Sequence, residues 1–109
     1  MAQNFRRYTL SAVSDSPEAV SAAFDSYDTI IGISLSNILG ATIIVDCYIN
    51  DGSDNIYLVK SAPIPSGGAL QVLDGGAKLV VQSSDRMYVV SDTASSLDVW
   101  VSAVDAIST

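Results

Sequence analysis

The fold is decided by residues 42–60, which read TIIVDCYINDGSDNIYLVK. Two apolar runs of strand length flank a short cluster of turn-forming residues at positions 51–54. Glycine adopts positive φ at little cost and aspartate can bond to its own backbone, so this cluster predicts a reversal of the chain. Residues 42–60 are therefore predicted to form a β-hairpin.

The first arm of this hairpin has two different faces, because side chains alternate along a strand with period two. The apolar face is predicted to lie in a core, and it carries Ile43, Val45, Cys47 and Ile49. The other face is mixed, and it carries Thr42, Ile44, Asp46 and Tyr48. The mixed face is too apolar for a solvated surface. Ile44 and Tyr48 are therefore candidates for contact with a partner subunit.

Short strand patterns separated by turn residues recur along the rest of the chain. Further strands are predicted at residues 29–37, 69–73, 77–82, 87–91 and 96–104. Residues 61–68 contain two prolines and should cross between sheets or run along an edge, because proline cannot donate to a strand ladder. About eight short strands at intervals of roughly 8–12 residues are typical of an antiparallel sandwich. The sequence therefore predicts an all-β, jelly-roll-like β-sandwich.

Two of these strands have clearly different faces. In the strand at residues 29–37, the residues predicted to share one face are Ile31, Ile33 and Leu35. In the last strand, the fully apolar face carries Leu97, Val99, Val101 and Ala103. If that face is the core, Trp100 points away from it. Exposed tryptophan is favoured at interface hot spots, so Trp100 is a further candidate for partner contact.

Residues 17–24 leave two interpretations open. The motif SPE at residues 16–18 is typical of a helix start, with an N-cap serine, proline at the first helical position and an acidic first turn. The alternation of Val20, Ala22 and Phe24 instead indicates a strand. A helix here would last barely two turns and would be marginal without tertiary support, so we favour a strand.

The composition excludes several classes of protein. A chain of 109 residues has the usual size of one domain, so residues 1–109 are predicted to form a single domain, with residues 1–8 as an N-terminal arm. The net charge of −7 repels phosphate backbones and argues against nucleic acid as a partner. The most membrane-like window, residues 30–45, is shorter than the ~20 residues that a spanning helix needs. We expect no membrane association.

The sequence contains no recognisable catalytic or metal-binding motif. It has no histidine, so Ser-His-Asp and Cys-His arrangements and the common zinc sites are absent. The only cysteine, Cys47, is predicted to be a small buried hydrophobe. Residues 50–55 bring several side-chain oxygens together but lack the ligand spacing of an EF-hand loop, so a turn is preferred over a weak ion site. We expect no cofactor, no metal and no catalytic residue.

The N-terminal arm holds two of the five basic residues, Arg6 and Arg7, next to Phe5. In an acidic protein these arginines could simply be solvated. They could instead reach an acidic patch on a neighbouring copy, because arginine forms bidentate pairs with carboxylates. Phe5, Arg6 and Arg7 are therefore added to the candidate interface.

The order of segments from residue 29 to residue 104 resembles small structural proteins of tailed bacteriophages, particularly marine and cyanobacterial ones. The segments that carry the resemblance include TIIGISLSN at 29–37, IYLVK at 56–60, KLVVQ at 78–82 and LDVWVS at 97–102. The resemblance implies a non-enzymatic β-sandwich protein of the virion, made in the host cytoplasm. It carries over no catalytic residue.

Within that class, the resemblance favours a capsid decoration or cement protein that stabilises the head lattice. Decoration proteins are often trimers, so a homotrimer bound to the major capsid protein is the implied assembly. A neck, tail or fibre component is the alternative in the same class. Outside it, a carbohydrate-binding sandwich would use Trp100 or Tyr48 as a stacking platform, and a hydrolase would need a pair of close carboxylates in a cleft.

Overall fold

The computed structural model describes residues 4–20, 28–73 and 78–105. Within these ranges the chain forms nine β-strands and no helix. The strands are β1 (Asn4–Val13), β2 (Glu18–Ala19), β3 (Thr29–Asn37), β4 (Ile43–Asn50), β5 (Asn55–Ile64), β6 (Ala69–Leu73), β7 (Leu79–Val80), β8 (Arg86–Ser91) and β9 (Leu97–Asp105). The predicted hairpin is confirmed as β4 and β5.

The strands form two antiparallel sheets. Sheet A has the order β1-β9-β3-β6, with the short β7 also paired to β3, and sheet B has the order β2-β8-β4-β5. The pairs are nested: β4 pairs with β5, β3 with β6, β2 with β8 and β1 with β9. Nested antiparallel pairs divided between two sheets define a jelly roll. The predicted jelly-roll-like sandwich is confirmed, with β7 as an addition to the eight strands of that topology.

The core lies between the two sheets and takes alternate residues from their strands. The apolar face of β4 is buried as predicted, with Val45 and Cys47 fully excluded from solvent. The apolar face of β9 is buried too, including Leu97 and Val101. Full burial of a Val, Leu or Ile side chain contributes about 1.5–3 kcal/mol relative to exposure. These two central strands therefore supply much of the driving force that joins the sheets.

One predicted face is wrong. Ile31 was expected to share a face with Ile33 and Leu35, but a β-bulge lies between Ile30 and Gly32 in the pairing of β3 with β9. The bulge shifts the alternation by one residue. As a result Ile30 is buried in the core, whereas Ile31 is only half-buried.

Each sheet has a long edge strand whose bulge is held by an aspartate of the neighbouring strand. In sheet A, Ala12 of β1 has φ of 53°, and its amide donates to Oδ1 of Asp98 at 2.9 Å. In sheet B, Ser61 of β5 also has φ of 53°, and its amide donates to Oδ1 of Asp46 at 2.7 Å. The left-handed conformation costs a non-glycine residue about 1–2 kcal/mol, and a hydrogen bond to a charged group contributes about 1.5–3 kcal/mol. The carboxylates therefore offset the strain of the bulges.

A buried asparagine ties three segments together at one end of the sandwich. Nδ2 of Asn37 donates to the carbonyls of Ala41 at 2.7 Å and Ile64 at 2.9 Å. Oδ1 of Asn37 accepts from the amide of Leu39 at 2.8 Å. Buried polar groups are tolerated when they are hydrogen-bonded in this way. Asn37 therefore fixes the β3–β4 turn against the end of β5.

The remaining expectations concern the connections. Residues 61–68 behave as predicted, because β5 runs along the edge of sheet B as far as Ile64 and the chain then crosses to β6 in sheet A. Residues 4–8 of the expected arm lie within β1. Of residues 17–24, Glu18 and Ala19 form β2, and residues 21–24 lie outside the described part of the chain.

Candidate functional site

The outer face of sheet A carries three large apolar side chains that are well exposed: Phe5 at 78%, Val80 at 75% and Trp100 at 51%. They reach this face because residues directly opposite each other in a sheet project to the same side. Val101 and Ala103 of β9 point into the core, so Trp100 and Val104 point outward, as predicted for Trp100. Phe5 lies opposite Val104 and therefore points outward with it.

One end of this face is an apolar band that crosses four strands. The register places Phe5 of β1 opposite Val104 of β9, Val104 opposite Thr29 of β3, and Thr29 opposite Val80 of β7. The bulged Ile31 adds to this end, since it lines a depression of about 430 Å³ together with Phe5 and Trp100. We call the set Phe5, Ile31, Val80 and Val104 the apolar band. Thr29 lies between Val104 and Val80, so one hydroxyl interrupts the apolar band. Clusters of exposed apolar side chains mark interaction sites.

Trp100 lies at the border of the apolar band, and its other neighbours are small and polar. Directly opposite it are Thr9 of β1 and Ser34 of β3. Together with Arg7, Ser36 and Asp98 they line an open depression of about 670 Å³. We call this the hydroxyl-lined depression. The indole therefore has hydroxyl groups of β1 and β3 directly beside it and the apolar side chains of Phe5 and Ile31 on its other side.

The charge on this face is sparse and is held in place. Cζ of Arg7 lies 5.4 Å from the centre of the Trp100 ring, within the range of a cation–π interaction. Oδ1 of Asp98 accepts the amide of Ala12 at the bulge of β1. Arg6 is exposed beside this surface and lines the smaller depression. In a chain of net charge −7, this face combines arginine with aromatic and apolar groups.

Sheet B presents a different surface, built from three tyrosines. Tyr48 lies between Tyr57 and Tyr88, with ring centres at 5.0 Å and 5.4 Å. Only 8% of Tyr48 is exposed, so the surface at this position is offered by its two neighbours. Nζ of Lys60 lies 4.6 Å from the centre of the Tyr57 ring and 3.5 Å from Oδ2 of Asp46. Desolvation raises the pKa of Tyr48, and the neighbouring phenols of Tyr57 and Tyr88 raise it further.

The six residues proposed from the sequence fall into two groups. Phe5, Arg6, Arg7 and Trp100 lie together on β1 and β9 of sheet A. Ile44 and Tyr48 lie on β4 of sheet B, so the structure does not bring them into one surface with Trp100. Sequence reasoning missed Ile31, Val80 and Val104. These residues become neighbours only when β1, β9, β3 and β7 pair in their correct register. A local sequence pattern does not reveal that register.

The acidic turn between β4 and β5 satisfies its own polar groups. Oδ1 of Asp51 accepts the amides of Ser53 at 3.0 Å and Asp54 at 2.8 Å, and these backbone bonds lower the pKa of Asp51. Gly52 has a φ of 99°, which is the positive φ that the turn was predicted to need from a glycine. Among the described residues, no three side chains of His, Cys, Asp or Glu are grouped to hold a metal ion.

Cys47 lies in the core beneath the hairpin. Its side chain is fully buried, and burial raises the pKa of the thiol to about 12. The thiol is therefore protonated at neutral pH and is a poor nucleophile. In residues 4–20, 28–73 and 78–105, no helix is long and apolar enough to cross a bilayer.

No protein-family model matches this chain, and no curated protein matches it either. Solved structures do share its fold. A chain from the disulfide-linked pili described as Bacillus endospore appendages is similar with a TM-score of 0.57 and 13% identity, and the match covers 98% of this chain and 88% of that one. A chain from the structure of infectious bursal disease virus, Gx strain, is similar with a TM-score of 0.54 and 13% identity.

The viral match covers 94% of this chain but only 33% of the viral one, so this chain spans about a third of that protein's length. At 13% identity both similarities establish a shared fold. The class that the fold defines is therefore the antiparallel jelly-roll sandwich, and similar folds occur in a viral chain and in a chain of the endospore appendages.

Proposed function

We propose that this chain is a non-enzymatic structural protein of a virion, a decoration or cement protein that stabilises the head lattice of a tailed bacteriophage. The observation that carries the proposal is the apolar band on the outer face of sheet A. A band that runs across four strands, with Phe5 at 78% and Val80 at 75% exposed, is costly to leave in water. Docking on a capsid surface would bury it.

The charge distribution supports docking through this face. The chain carries a net charge of −7, so copies repel each other wherever acidic surfaces meet. Arg7 lies on the outer face opposite Ser102, beside the apolar band, and a guanidinium there can pair with a carboxylate of the major capsid protein or of another copy. Exposed charge on the outer face of sheet A is limited to Arg7 and Asp98 among the residues that line its two depressions in outward positions. A homotrimer that rests on the lattice through this face would use Phe5 together with Ile31, Val80 and Val104 of the apolar band.

Folded copies of this chain are not expected to be joined by disulfides. The endospore appendages that share the fold are described as disulfide-linked pili. This chain has a single cysteine, and Cys47 is buried in the core with a pKa of about 12. A disulfide between copies would require the sandwich to open. The subunits therefore depend on buried area and on ion pairs.

A neck, tail or fibre component is the second candidate, and one observation favours it. The similarity to the appendage subunit covers nearly the full length of both chains, whereas the viral match covers a third of the viral chain. A jelly roll of this size can therefore serve as the whole repeating unit of a filament. Head-to-tail contacts build filaments, whereas closed symmetry builds trimers.

The number of copies in purified particles distinguishes the two candidates. A decoration protein is expected in hundreds of copies and should raise the melting temperature of the capsid. A neck or tail component would be present in a small multiple of the tail symmetry. Absence of the chain from washed particles would contradict both.

The docking surface is tested with a pair of matched variants. Phe5→Ser combined with Val80→Ser removes the most exposed part of the apolar band, and it should abolish binding to capsids lacking the protein. Ile56→Ser removes an exposed isoleucine of sheet B and should bind normally. Normal binding of the double variant would show that another surface docks. Equal melting temperatures of the free variants would confirm that folding is intact.

A further inference from the structure

We infer that the hydroxyl-lined depression beside Trp100 binds a neutral carbohydrate chain, with one sugar ring packed on the indole. The site adjoins the apolar band and meets it at Trp100, since the indole lines both depressions. Trp100 and Val104 are four residues apart on β9, about 13 Å at the usual rise of a strand. The depression extends from Trp100 in the opposite direction, towards Asp98, Ser36 and Thr9.

The first argument is that the indole of Trp100 lies next to several serine and threonine hydroxyl groups. A sugar ring has faces formed by C–H groups, which pack on an aromatic ring, and a rim of hydroxyls, which need hydrogen-bonding partners. Trp100 is half exposed and stands between Thr9 and Ser34. Each serine or threonine hydroxyl is both donor and acceptor, so it can serve either end of a sugar hydroxyl.

The second argument is the polar groups at the rim. Arg7 supplies N–H donors next to the indole, and the cation–π contact favours this position of the guanidinium. Asp98 uses Oδ1 for the amide of Ala12, and a carboxylate offers further acceptor sites on its other oxygen. Nε2 of Gln71 donates to Oγ of Ser34 at 3.1 Å, which orients that hydroxyl. Hydrogen-bond donors and acceptors therefore lie next to the indole of Trp100.

The third argument is rigidity and size. Trp100, Arg7, Ser34 and Ser36 all lie on strands of sheet A rather than on loops. Sites built on strands hold their geometry better than sites on loops. The volume of about 670 Å³ lies in the range of ~300–1,000 Å³ that is usual for ligand pockets.

The same composition argues against other occupants. Serine is depleted in the buried centre of protein interfaces, where aromatic and apolar residues are enriched, so a floor of Ser34, Ser36 and Thr9 suits a protein partner poorly. The net charge of −7 disfavours phosphate-bearing ligands such as nucleic acid. Arg7 and Asp98 carry opposite charges within the depression, which favours a ligand without net charge.

The experiment uses the single tryptophan of the chain as its probe. Maltohexaose, cellohexaose and the hexamer of N-acetylglucosamine are titrated separately into the full-length protein, and the emission of Trp100 is followed. At least one of the three is expected to cause a saturable change that is independent of protein concentration. No change with any of the three would overturn the proposal, as would a change explained by self-association in sedimentation.

Calorimetry with the binding oligosaccharide then tests the residues. Trp100→Ala is expected to weaken binding at least about tenfold, equivalent to about 1.4 kcal/mol. Ser36→Val keeps the indole but places methyl groups on the floor, and it should weaken binding as well. Tyr57→Ala, an exposed aromatic on sheet B, is the matched control and should bind like the unmodified chain. Undiminished binding by folded Trp100→Ala and Ser36→Val would overturn the assignment.

Discussion

Asp46 and Ser61 join β4 and β5 at the point where their regular ladder is interrupted. Oδ1 of Asp46 accepts the amide of Ser61 at 2.7 Å, and Ser61 has φ of 53°. Asp46→Ala would leave this strained bulge without its acceptor, so we expect the free energy of unfolding to fall by about 1.5–3 kcal/mol. Asp46→Asn keeps an acceptor oxygen and should lose less. Urea denaturation followed by circular dichroism measures both.

The control for this prediction is Lys60→Met. Nζ of Lys60 lies 3.5 Å from Oδ2 of Asp46, but the lysine side chain is 61% exposed. Exposed ion pairs contribute about 0–1 kcal/mol, so this variant should be nearly as stable as the unmodified chain. If Lys60→Met were as destabilising as Asp46→Ala, the ion pair with Lys60, rather than the hydrogen bond from the Ser61 amide, would hold the bulge.

Asn37 should be among the most sensitive polar positions. Asn37→Ala leaves the carbonyls of Ala41 and Ile64 and the amide of Leu39 without their partner. A buried polar group left unsatisfied costs about 1–3 kcal/mol, so a loss of at least about 2 kcal/mol is expected in chemical denaturation. Asn37→Asp should be equally harmful at neutral pH, because a carboxylate cannot donate to two carbonyls. Stability unchanged in Asn37→Asp would contradict this account.

Trp100 and Leu97 should differ sharply although both lie on β9. Leu97 is fully buried, and truncation of a buried leucine costs about 2–5 kcal/mol, so Leu97→Ala should lower the melting temperature strongly. Trp100→Ala loses an exposed cation–π contact worth about 0.5–1 kcal/mol and should remain folded. Thermal unfolding compares the two. A Trp100→Ala protein that fails to fold would place the indole in the core.

Cys47 should make the protein less stable in alkali. Burial raises the pKa of its thiol from 9.0 to about 12, so the folded protein binds this proton more tightly than the unfolded chain does. The contribution of this pKa difference to the free energy of unfolding is fully present below pH 9. It is lost between pH 9 and 12, at about 1.4 kcal/mol per pH unit. Cys47→Val lacks this loss. The measurement is the difference between the two pH-dependent denaturation curves, in which the other titrating groups cancel.

Reactivity of the same thiol provides an independent test. In the folded protein, Cys47 should react with a thiol reagent such as iodoacetamide only at the rate at which the sandwich opens, because the thiol is buried and protonated. In urea it should react at once. Fast labelling under native conditions would mean that the hairpin opens locally without global unfolding.

Local patterns were sufficient for the hairpin, the buried faces of β4 and β9, and the outward direction of Trp100, since strand alternation needs only neighbouring residues. They were insufficient for the apolar band, because Phe5, Val104 and Val80 become neighbours through the register of separate strands. The residues that cover Tyr48 could not be identified for the same reason, because Tyr57 and Tyr88 lie on the strands on either side of it.

The nested order of the strands determines when, during synthesis, the outer face of sheet A can form. Sheet B can pair β4 with β5 and β8 before synthesis reaches β9, whereas β9 fills the gap between β1 and β3 in the middle of sheet A. The apolar band and the hydroxyl-lined depression both need β9, so neither exists on a nascent or shortened chain. Under the proposed function, a copy that lacks β9 would therefore lack its docking surface.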